Sequence, residues 1–388
     1  MFNFQFYNPT RLVFGKGSLT ELTKLVAPAT KVLLLYGGQS AERNGTLAQV
    51  RDALKHCQLH EFSGIQANPD YDQLMPAVAL IKQHDIGLLL AVGGGSVIDG
   101  TKFLAAAACY DGDPWEILET YGKRIHRALP VGVVQTFPAT SSENNNGSVI
   151  SRYSMRAKRS FRNPHVFPQF AILDPEISYS LPAKQLANGV VDAFIHVCEQ
   201  YLTYPVNAAV QDRFAEGLLQ TLKETGPQAL ATPQDYDIRA NLMLACAWCH
   251  NGLICSGVPQ DWATHKIGHE LTAIFGLDHA VTLAIILPTL LEMFRQPKRD
   301  KLLQYAERVW QICDGDDEQK ITAAIAQTRA FFEQMGIGTY LQDYGISADE
   351  LQPVLDNLER SGMTQLGEHK DITLDVSRQI LLNSVAPR

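Results

Sequence analysis

The chain has 388 residues, of which 46% are hydrophobic and 19% are charged, a composition ordinary for a globular protein with a substantial core. Its net charge of −8, without any long run of Lys or Arg, argues against nucleic acid or an anionic membrane surface as a partner. The most apolar run, residues 281–294, is interrupted by Pro288 and is shorter than the ~20 residues of a membrane-spanning helix, so we expect no membrane insertion.

Strand and helix patterns alternate in the first half of the chain. Residues 2–7 alternate apolar and polar side chains, which predicts an edge strand or a hairpin. Buried strands are predicted by short apolar runs at residues 31–38, 85–96, 128–140 and 170–175. Helical patterns lie between them at residues 46–57, 71–84 and 97–109. Such alternation predicts parallel pairing through right-handed crossovers, and hence an α/β domain with a mainly parallel, Rossmann-like sheet over residues 1–182.

The second half has a different periodicity. Long amphipathic stretches occur at residues 183–202, 207–226, 237–253 and 319–336, and strand-like runs nearly disappear. We therefore predict an all-helical domain over residues 183–388. The seven cysteines are scattered, and the pair Cys246 and Cys249 is interpreted as helix packing, because no second pair could complete a zinc site. This cysteine usage favours a reducing, cytoplasmic location.

A run of glycines follows the predicted strand at residues 85–96. Gly93, Gly94, Gly95 and Ser96 precede a helix that starts near Val97. Glycines let the backbone approach a ligand closely, and the N–H groups at a helix start favour a phosphate. The run is neither G-x-G-x-x-G nor a Walker A loop. A tight turn between strand and helix, without any ligand, is the alternative interpretation.

A second glycine pair, Gly37 and Gly38, follows the strand predicted at residues 31–36. In dinucleotide-binding folds an acidic residue near such a strand end commonly binds the ribose 2′-hydroxyl of NAD. Here the next residues are Gln39 and Ser40, and no acid is present. A carboxylate would repel a 2′-phosphate, whereas small and hydroxyl-bearing residues can accept one. The pattern favours NADP over NAD, unless the glycines only turn the chain.

Two histidine-containing patterns suggest a metal site. Asp192 and His196 are four residues apart in an apolar helical stretch, so both side chains lie on one helix face. By themselves they could form a hydrogen bond within the core. His265 and His269 repeat that spacing, and His279 follows after a glycine turn. The spacing does not decide which of these five residues bind.

The metal hypothesis rests on the combination of the two patterns. One Asp and several His suit a divalent cation such as zinc or iron. A zinc metalloprotease is disfavoured, because no Glu follows His265 as H-E-x-x-H requires, whereas Glu270 follows the second histidine.

At these residues the chain resembles the iron-containing (group III) alcohol dehydrogenase family, and within it the NADPH-dependent bacterial aldehyde reductase and butanol dehydrogenase branch. The resemblance extends nearly from end to end. The matching segments are NPTRLVFGKGSLTEL, AVGGGSVIDGTKF, PATSSENN, VFPQFAILDP, NGVVDAFIHVCEQY, VPQDWATHKIGHELTA, GLDHA and RSGMTQLGEHKDITLDVSRQIL.

The resemblance implies roles for individual residues. The metal ligands become Asp192, His196, His265 and His279, and His269 becomes a proton relay beside the nicotinamide. It further implies a cleft between the two domains, an Asp in place of Gly37 in NAD-preferring members, and a homodimer. The predicted cofactor site comprises Gly37, Gly38, Ser40, Gly94, Gly95, Ser96, Asp99, Thr136, Thr140 and Lys158.

We therefore expect a metal-dependent oxidoreductase that interconverts primary alcohols and aldehydes with NADP(H), using Fe²⁺ or Zn²⁺ as a Lewis acid. Aldehyde reduction of short and medium chains is the expected direction. One alternative keeps the fold and oxidises a polyol, as glycerol dehydrogenases do. An alternative from another class is a metal-dependent hydrolase, in which the glycine run only turns the chain.

Overall fold

Six parallel strands form the main sheet of the computed structural model, which describes residues 1–387. Their order across the sheet is β1-β8-β5-β4-β2-β3, and every neighbouring pair is parallel. Two further strand pairs, β6–β7 and β9–β10, are antiparallel. The strands are β1 Arg11–Phe14, β2 Lys31–Tyr36, β3 Gln58–Phe62, β4 Leu88–Gly94, β5 Val131–Phe137, β6 Gly147–Arg152, β7 Ala157–Arg162, β8 Phe170–Leu173, β9 Gln365–Leu366 and β10 Ile372–Thr373.

Helices occur along the whole chain and become long after residue 182. Those of the first half are α1 Leu22–Leu25, α2 Ser40–Arg43, α3 Thr46–Ala53, α4 Tyr71–His84, α5 Gly95–Ala107 and α6 Trp115–Glu119. Those of the second half are α7 Ala183–Tyr201, α8 Ala209–Ala231, α9 Tyr236–Trp248, α10 Ala263–Phe275, α11 His279–Met293, α12 Arg299–Arg308, α13 Asp317–Gln334, α14 Gln352–Arg360 and α15 Leu374–Asn383. The predicted class, a parallel α/β sheet followed by a helical region, is confirmed.

The chain groups into two compact units. The sheet unit comprises residues 7–182 and 232–251, and the helical unit comprises residues 1–6, 183–231 and 252–387. Helix α9 thus belongs to the sheet unit although its sequence continues the helical pattern of the second half. Contacts within that unit explain this: the buried Arg239 donates from Nε to Ser178 Oγ at 3.1 Å, and Ser141 Oγ donates to the Ala247 carbonyl at 2.6 Å.

Side-chain alternation along the strands gives the sheet unit two apolar layers. Leu33 and Leu35 face one layer, whereas Val32 and Leu34 face the other. The first layer packs on α4 and α5, and the second on α1 and α3. A parallel sheet is covered on both faces in this way, which is why its central strands read as continuous apolar runs.

The predicted strand at residues 2–7 is not formed. Within residues 1–387 the first strand begins at Arg11, and the alternating aromatic side chains of Phe2, Phe4 and Phe6 are 46–49% exposed. Alternation predicts a strand only where a neighbouring strand supplies hydrogen bonds. The hairpin β6–β7 was not predicted either, because its sequence is polar and lies between loops.

Large apolar side chains fill the helical unit. Phe194 of α7 packs against Phe331 and Phe332 of α13, with ring centroids 5.0 and 5.9 Å apart. Gly226 of α8 approaches α7 closely, because a Cβ at this position would lie 2.7 Å from Val190 Cγ1. None of the helices in residues 1–387 combines the length and apolarity needed to cross a lipid bilayer.

Candidate metal centre and cofactor loops

Helix α7 carries the first two candidate metal ligands. Asp192 and His196 stand one turn apart and are 4% and 7% exposed. The Nδ1 atom of His196 lies 2.8 Å from the backbone carbonyl oxygen of Asp192 and 3.2 Å from the side-chain Oδ1 of Asp192. Burial lowers the pKa of His196, but the Asp192 carboxylate outweighs burial and the net direction is upward. The predicted arrangement on one helix face is present.

Helices α10 and α11 bring the other histidines to Asp192. His265 and His269 lie in α10, which is followed by Gly276 with a left-handed φ of 71°, and His279 is the first residue of α11. One ligand atom each of Asp192, His265 and His279 lies within 4.8 Å of the others. The Nε2 atoms of both histidines are 3.8 Å from Asp192 Oδ1. These three residues form a group that can hold a metal ion.

His196 and His269 lie beside this three-residue group. The ring centroid of His196 is 4.3 Å from that of His265. The His269 ring is 6.1 Å from His265 and 5.1 Å from His279. Both histidines are buried. The structure thus gathers all five candidates of the sequence analysis, with three of them in the tightest group.

A buried carboxylate, Glu199, contacts His265 and was missed by the sequence analysis. Its Oε1 accepts the His265 backbone N–H at 3.1 Å, and its Oε2 pairs with His265 Nδ1. The signal was available in the sequence: Glu199 follows Asp192 by seven residues and His196 by three, which places all three on one face of α7. Burial, together with repulsion from Asp261, raises the pKa of Glu199 well above its ordinary value of 4.5.

A second buried group anchors the chain segment before α10. Lys298 Nζ lies 3.0 Å from Asp261 Oδ2 and 2.6 Å from Glu368 Oε1, and all three side chains are at most 6% exposed. Burial lowers the pKa of Lys298, and the two carboxylates reverse the direction. Asp261 donates its backbone N–H to the Glu199 carbonyl at 2.8 Å. The segment that leads into α10 is therefore tied to α7.

These residues fit a divalent cation. The donor set combines imidazole nitrogens with one carboxylate, which suits Zn²⁺ and Fe²⁺. Charge balance points the same way, because the buried acids Asp192, Glu199 and Asp261 outnumber the buried ammonium of Lys298. A cation between Asp192 and the histidines would offset this negative charge and would lower the pKa of Glu199.

In the sheet unit, the predicted phosphate loop joins β4 to α5. The strand ends at Gly94 with a register shift against β5, and the helix begins at Gly95. A Cβ at Gly94 would lie 2.7 Å from Phe137 Cβ, and one at Gly95 would lie 2.6 Å from Thr140 Oγ1. No side chain fits at either position, and the first turn of α5 presents N–H groups that have no partner within the helix.

The other glycine pair lies directly after β2. Gly37 is followed by Gly38, and Ser40 is the first residue of α2. A Cβ at Gly37 would be 3.0 Å from the Ile65 carbonyl oxygen, whereas a Cβ at Gly38 would meet nothing within 4 Å. Chain packing thus restricts Gly37, while Gly38 lies in open space.

Two predicted cofactor residues, Lys158 and Ser96, are linked by hydrogen bonds to Asn68 within the sheet unit. Lys158 is 6% exposed, and its Nζ donates to Asn68 Oδ1 at 2.8 Å. The Asn68 backbone N–H in turn donates to Ser96 Oγ at 3.2 Å. Lys158 is therefore not a solvent-exposed lysine. Asn68, which the sequence analysis missed, joins Lys158 to the glycine loop.

The remaining predicted cofactor residues lie near β5 and on α5. Thr136 is the second-to-last residue of β5, and Thr140 follows that strand, where its Oγ1 accepts the Ser142 backbone N–H at 3.2 Å. Both carboxylate oxygens of Asp99 accept hydrogen bonds from the protein: Ser142 Oγ at 2.5 Å and the Val149 N–H at 2.8 Å. Asp99 therefore fixes the segment after β5 to α5.

Comparisons with sequence models, curated proteins and solved structures all indicate the same protein family. The sequence model described as "Iron-containing alcohol dehydrogenase" matches residues 9–175, and "Fe-containing alcohol dehydrogenase family, C-terminal" matches residues 186–368. The chain is 57% identical over 382 residues to the NADPH-dependent aldehyde reductase YqhD of Escherichia coli, covering 98% of this chain and 99% of that protein.

Two further matches extend this result. The chain is 37% identical over 390 residues to a probable NADH-dependent butanol dehydrogenase of Bacillus subtilis, covering 99% of this chain and 100% of that protein. The crystal structure of E. coli YqhD matches with a TM-score of 0.98 and 56% identity over 99% of both chains.

Proposed function

Because the chain belongs to the iron-containing alcohol dehydrogenase family, we propose that it interconverts primary alcohols and aldehydes with NADP(H) and acts mainly as a reductase of short- and medium-chain aldehydes. The observation that carries this proposal is the group of buried Asp192, buried His265 and half-buried His279, whose ligand atoms lie within 4.8 Å of one another. The 57% identity to an NADPH-dependent aldehyde reductase over nearly the whole chain supports the direction and the cofactor.

We assign the metal to the helical region, residues 183–388, with Asp192, His196, His265 and His279 as ligands of one Fe²⁺ or Zn²⁺ ion. When bound, the cation acts as a Lewis acid toward the carbonyl or alcohol oxygen. The four side chains would hold it in a largely buried environment. The Nδ1 atom of His196 contacts Asp192, so Nε2 is the nitrogen that we assign to the cation.

His269 is our candidate for the proton relay. It lies one helical turn after His265 and is 6% exposed, and its ring is 5.1 Å from that of His279. A histidine exchanges protons near neutral pH and can therefore supply a proton to the alkoxide formed by aldehyde reduction. We separate its role from that of the ligands because the resemblance to the iron-containing alcohol dehydrogenase family implies a proton relay at this position.

NADP(H) is assigned to residues 1–182. NADPH supplies the hydride in aldehyde reduction. Gly94, Gly95 and Ser96 at the start of α5 favour the pyrophosphate, because backbone can approach it there and the helix dipole is positive. The absence of an acid at Gly37 favours the 2′-phosphate. The full proposed set is Gly37, Gly38, Ser40, Gly94, Gly95, Ser96, Asp99, Thr136, Thr140 and Lys158.

The deciding experiment measures NADPH oxidation with a series of linear aldehydes, together with the metal content of the same sample. We expect kcat/KM to change gradually from propanal to hexanal, because one methylene in an apolar pocket shifts selectivity by only ~1–3 kcal/mol. Glycerol should be a poor substrate, because its extra hydroxyls would lose water without assured partners. Efficient glycerol oxidation with poor aldehyde reduction would contradict the proposal and favour a polyol dehydrogenase.

We further propose that the enzyme is a homodimer in the cytoplasm. The exposed aromatic side chains of Phe2, Phe4, Phe6 and Tyr7 support a second copy as their partner, because such a row on an extended segment is suited to strand pairing. The test compares the mass in solution of the native chain with that of a Phe4→Ser, Phe6→Ser variant. A native monomer would contradict the proposal.

A further inference from the structure

The contact between Glu199 and His265 joins two elements of the helical unit. Glu199 is the last of three polar residues on one face of α7, after Asp192 and His196, and is 3% exposed. His265 lies in α10, 66 residues further along the chain. A carboxylate with so little exposure is costly to bury unless specific donors offset the loss of water. Both of its oxygens have such donors, and His265 supplies them.

The contact has two points of attachment on the same residue. Glu199 Oε1 accepts the backbone N–H of His265, and Oε2 meets the ring nitrogen Nδ1. With a cation in the site, Glu199 would be a carboxylate that only accepts hydrogen bonds, so Nδ1 would carry the proton and Nε2 would be the basic nitrogen of the neutral ring. Because the backbone and the ring are both held, the ring is fixed in rotation as well. Its Nε2 faces Asp192 Oδ1 at 3.8 Å.

We propose that Glu199 is a positioning residue that sets the tautomer and orientation of His265 for the divalent cation. This inference rests on the proposed metal site and adds a residue to its support. Carboxylates that accept the second ring N–H of a metal-bound histidine increase the basicity of the ligand and keep its ring aligned. Asp192 and the histidines would hold the cation, and Glu199 would act through His265 alone.

The surrounding structure keeps Glu199 in this position. The carbonyl of Glu199 accepts the Asp261 backbone N–H at 2.8 Å, and Asp261 Oδ1 accepts the N–H of Ala263, the first residue of α10, at 2.9 Å. Asp261 is in turn held by the buried Lys298. The end of α7 and the start of α10 are therefore linked by both backbone and side chain, which fixes the distance that the carboxylate spans.

The test compares Glu199→Gln with native protein and with Glu216→Gln. Glu216 is also a buried glutamate of the helical unit, 5% exposed, but its partners are Tyr201, Gln304, Arg213 and Arg308. Glutamine keeps the size of the side chain and offers only one acceptor, so it no longer holds both donors of His265. Zn²⁺ affinity is measured by competition with a chelator, and Co²⁺-substituted protein gives a visible spectrum of the site.

We expect Glu199→Gln to weaken Zn²⁺ binding by about 10- to 100-fold, the range for groups that orient a metal ligand, and to change the Co²⁺ spectrum. Glu216→Gln should leave both readouts unchanged even if it lowers thermal stability. A change of less than about threefold in Zn²⁺ affinity for Glu199→Gln, or an equal change in Glu216→Gln, would overturn the inference. Native protein that binds no Zn²⁺ would instead overturn the proposed metal site.

A second variant covers the case in which Glu199→Gln does not fold. Glu199→Asp keeps the negative charge but is one methylene shorter, so it cannot reach both the backbone N–H and Nδ1 of His265. Zn²⁺ affinity should fall in this variant too, with the fold checked by thermal unfolding. If a folded Glu199→Asp protein bound Zn²⁺ with native affinity, the two hydrogen bonds between Glu199 and His265 would not be what supports metal binding.

Discussion

The sheet unit and the helical unit form their candidate ligand sites in opposite ways. In the sheet unit the predicted cofactor loop depends on the absence of side chains: there is no room for a Cβ at Gly94 or Gly95, so the backbone itself would approach a bound phosphate. In the helical unit the candidate metal site depends on side-chain atoms, which converge from α7, α10 and α11. A phosphate can be bound by N–H groups and a helix dipole, whereas a cation needs lone pairs. Adding atoms should therefore damage the first site, and removing atoms the second.

The largest effect is expected from removing a metal ligand. His265→Ala and His279→Ala should each lower the metal content and reduce kcat/KM for aldehydes by about 10³-fold, because a Lewis acid contributes several kcal/mol. Protection by NADPH against thermal unfolding should remain, since the cofactor loops are intact. Metal analysis, kinetics and thermal unfolding check this on one sample. Loss of NADPH protection together with the metal would contradict the independence of the two sites.

A buried carboxylate of the sheet unit allows a prediction of pH-dependent stability. Glu143 is fully buried, and burial raises its pKa from 4.5 to about 7. Its Oε2 accepts from Gln135 Nε2 at 2.9 Å, whereas its Oε1 has no hydrogen-bond partner in residues 1–387. A raised pKa means that the stability contribution is complete below the unfolded pKa and is lost as the pH rises through about 7.

Glu143→Gln removes this ionisation. The variant should gain stability relative to native protein as the pH rises from about 5 to about 8, by on the order of 3 kcal/mol. Denaturant unfolding at both pH values checks it. Glu216→Gln is the matched control, for which the opposite pH dependence is expected. Burial raises the pKa of Glu216, but its hydrogen-bond donors outweigh burial and the net direction is downward. The stability that ionised Glu216 contributes is therefore present above the unfolded pKa and is lost at lower pH. A pH-independent difference for Glu143→Gln would contradict the prediction.

Removing the proposed relay should separate rate from metal binding. His269→Ala is expected to retain the metal and to lower kcat by about 10²-fold or more, the usual scale for a general acid or base. Metal content and the pH profile of kcat are the measurements. Metal loss equal to that of His265→Ala would show that His269 is a ligand.

Adding one methyl group to the phosphate loop should affect the cofactor alone. In Gly95→Ala the new Cβ would lie 2.6 Å from Thr140 Oγ1, so the loop must shift. Overpacking of this kind costs about 1–3 kcal/mol, and a loss of that size corresponds to an NADPH affinity that is about 5- to 150-fold weaker. The metal content should not change. Gly217→Ala, where a Cβ meets nothing within 4 Å, is the control; an equal loss of NADPH affinity there would contradict the role of the loop.

The smallest effect concerns the choice between NADPH and NADH. Gly37→Asp places a carboxylate where a 2′-phosphate is proposed, and should lower the NADPH-to-NADH ratio of kcat/KM by about tenfold or more. Gly37→Ala controls for crowding, because a Cβ there lies 3.0 Å from the Ile65 carbonyl oxygen. If the ratio were the same in both variants, the 2′-phosphate would not lie at Gly37.

Local periodicity was enough to predict much of this protein. The alternation of apolar runs and helical patterns predicted the parallel sheet and its helices, because strand and helix periods are properties of neighbouring residues. The spacing of Asp192 to His196 and of His265 to His269 predicted shared helix faces for the same reason. The glycine loop was ambiguous by sequence, since a turn and a phosphate site require the same residues.

Contacts between distant parts of the chain decided the rest. Glu199 and His265 are 66 residues apart, and Lys158 and Asn68 are 90 residues apart. No local sequence pattern links the two members of either pair. The group of Asp192, His265 and His279 likewise depends on the packing of α7, α10 and α11, which the sequence does not show. Helix α9 likewise joins the sheet unit through Arg239 and Ser178, against its helical sequence context. Sequence period fixes which face of an element a residue occupies, whereas packing alone fixes which other element that face meets.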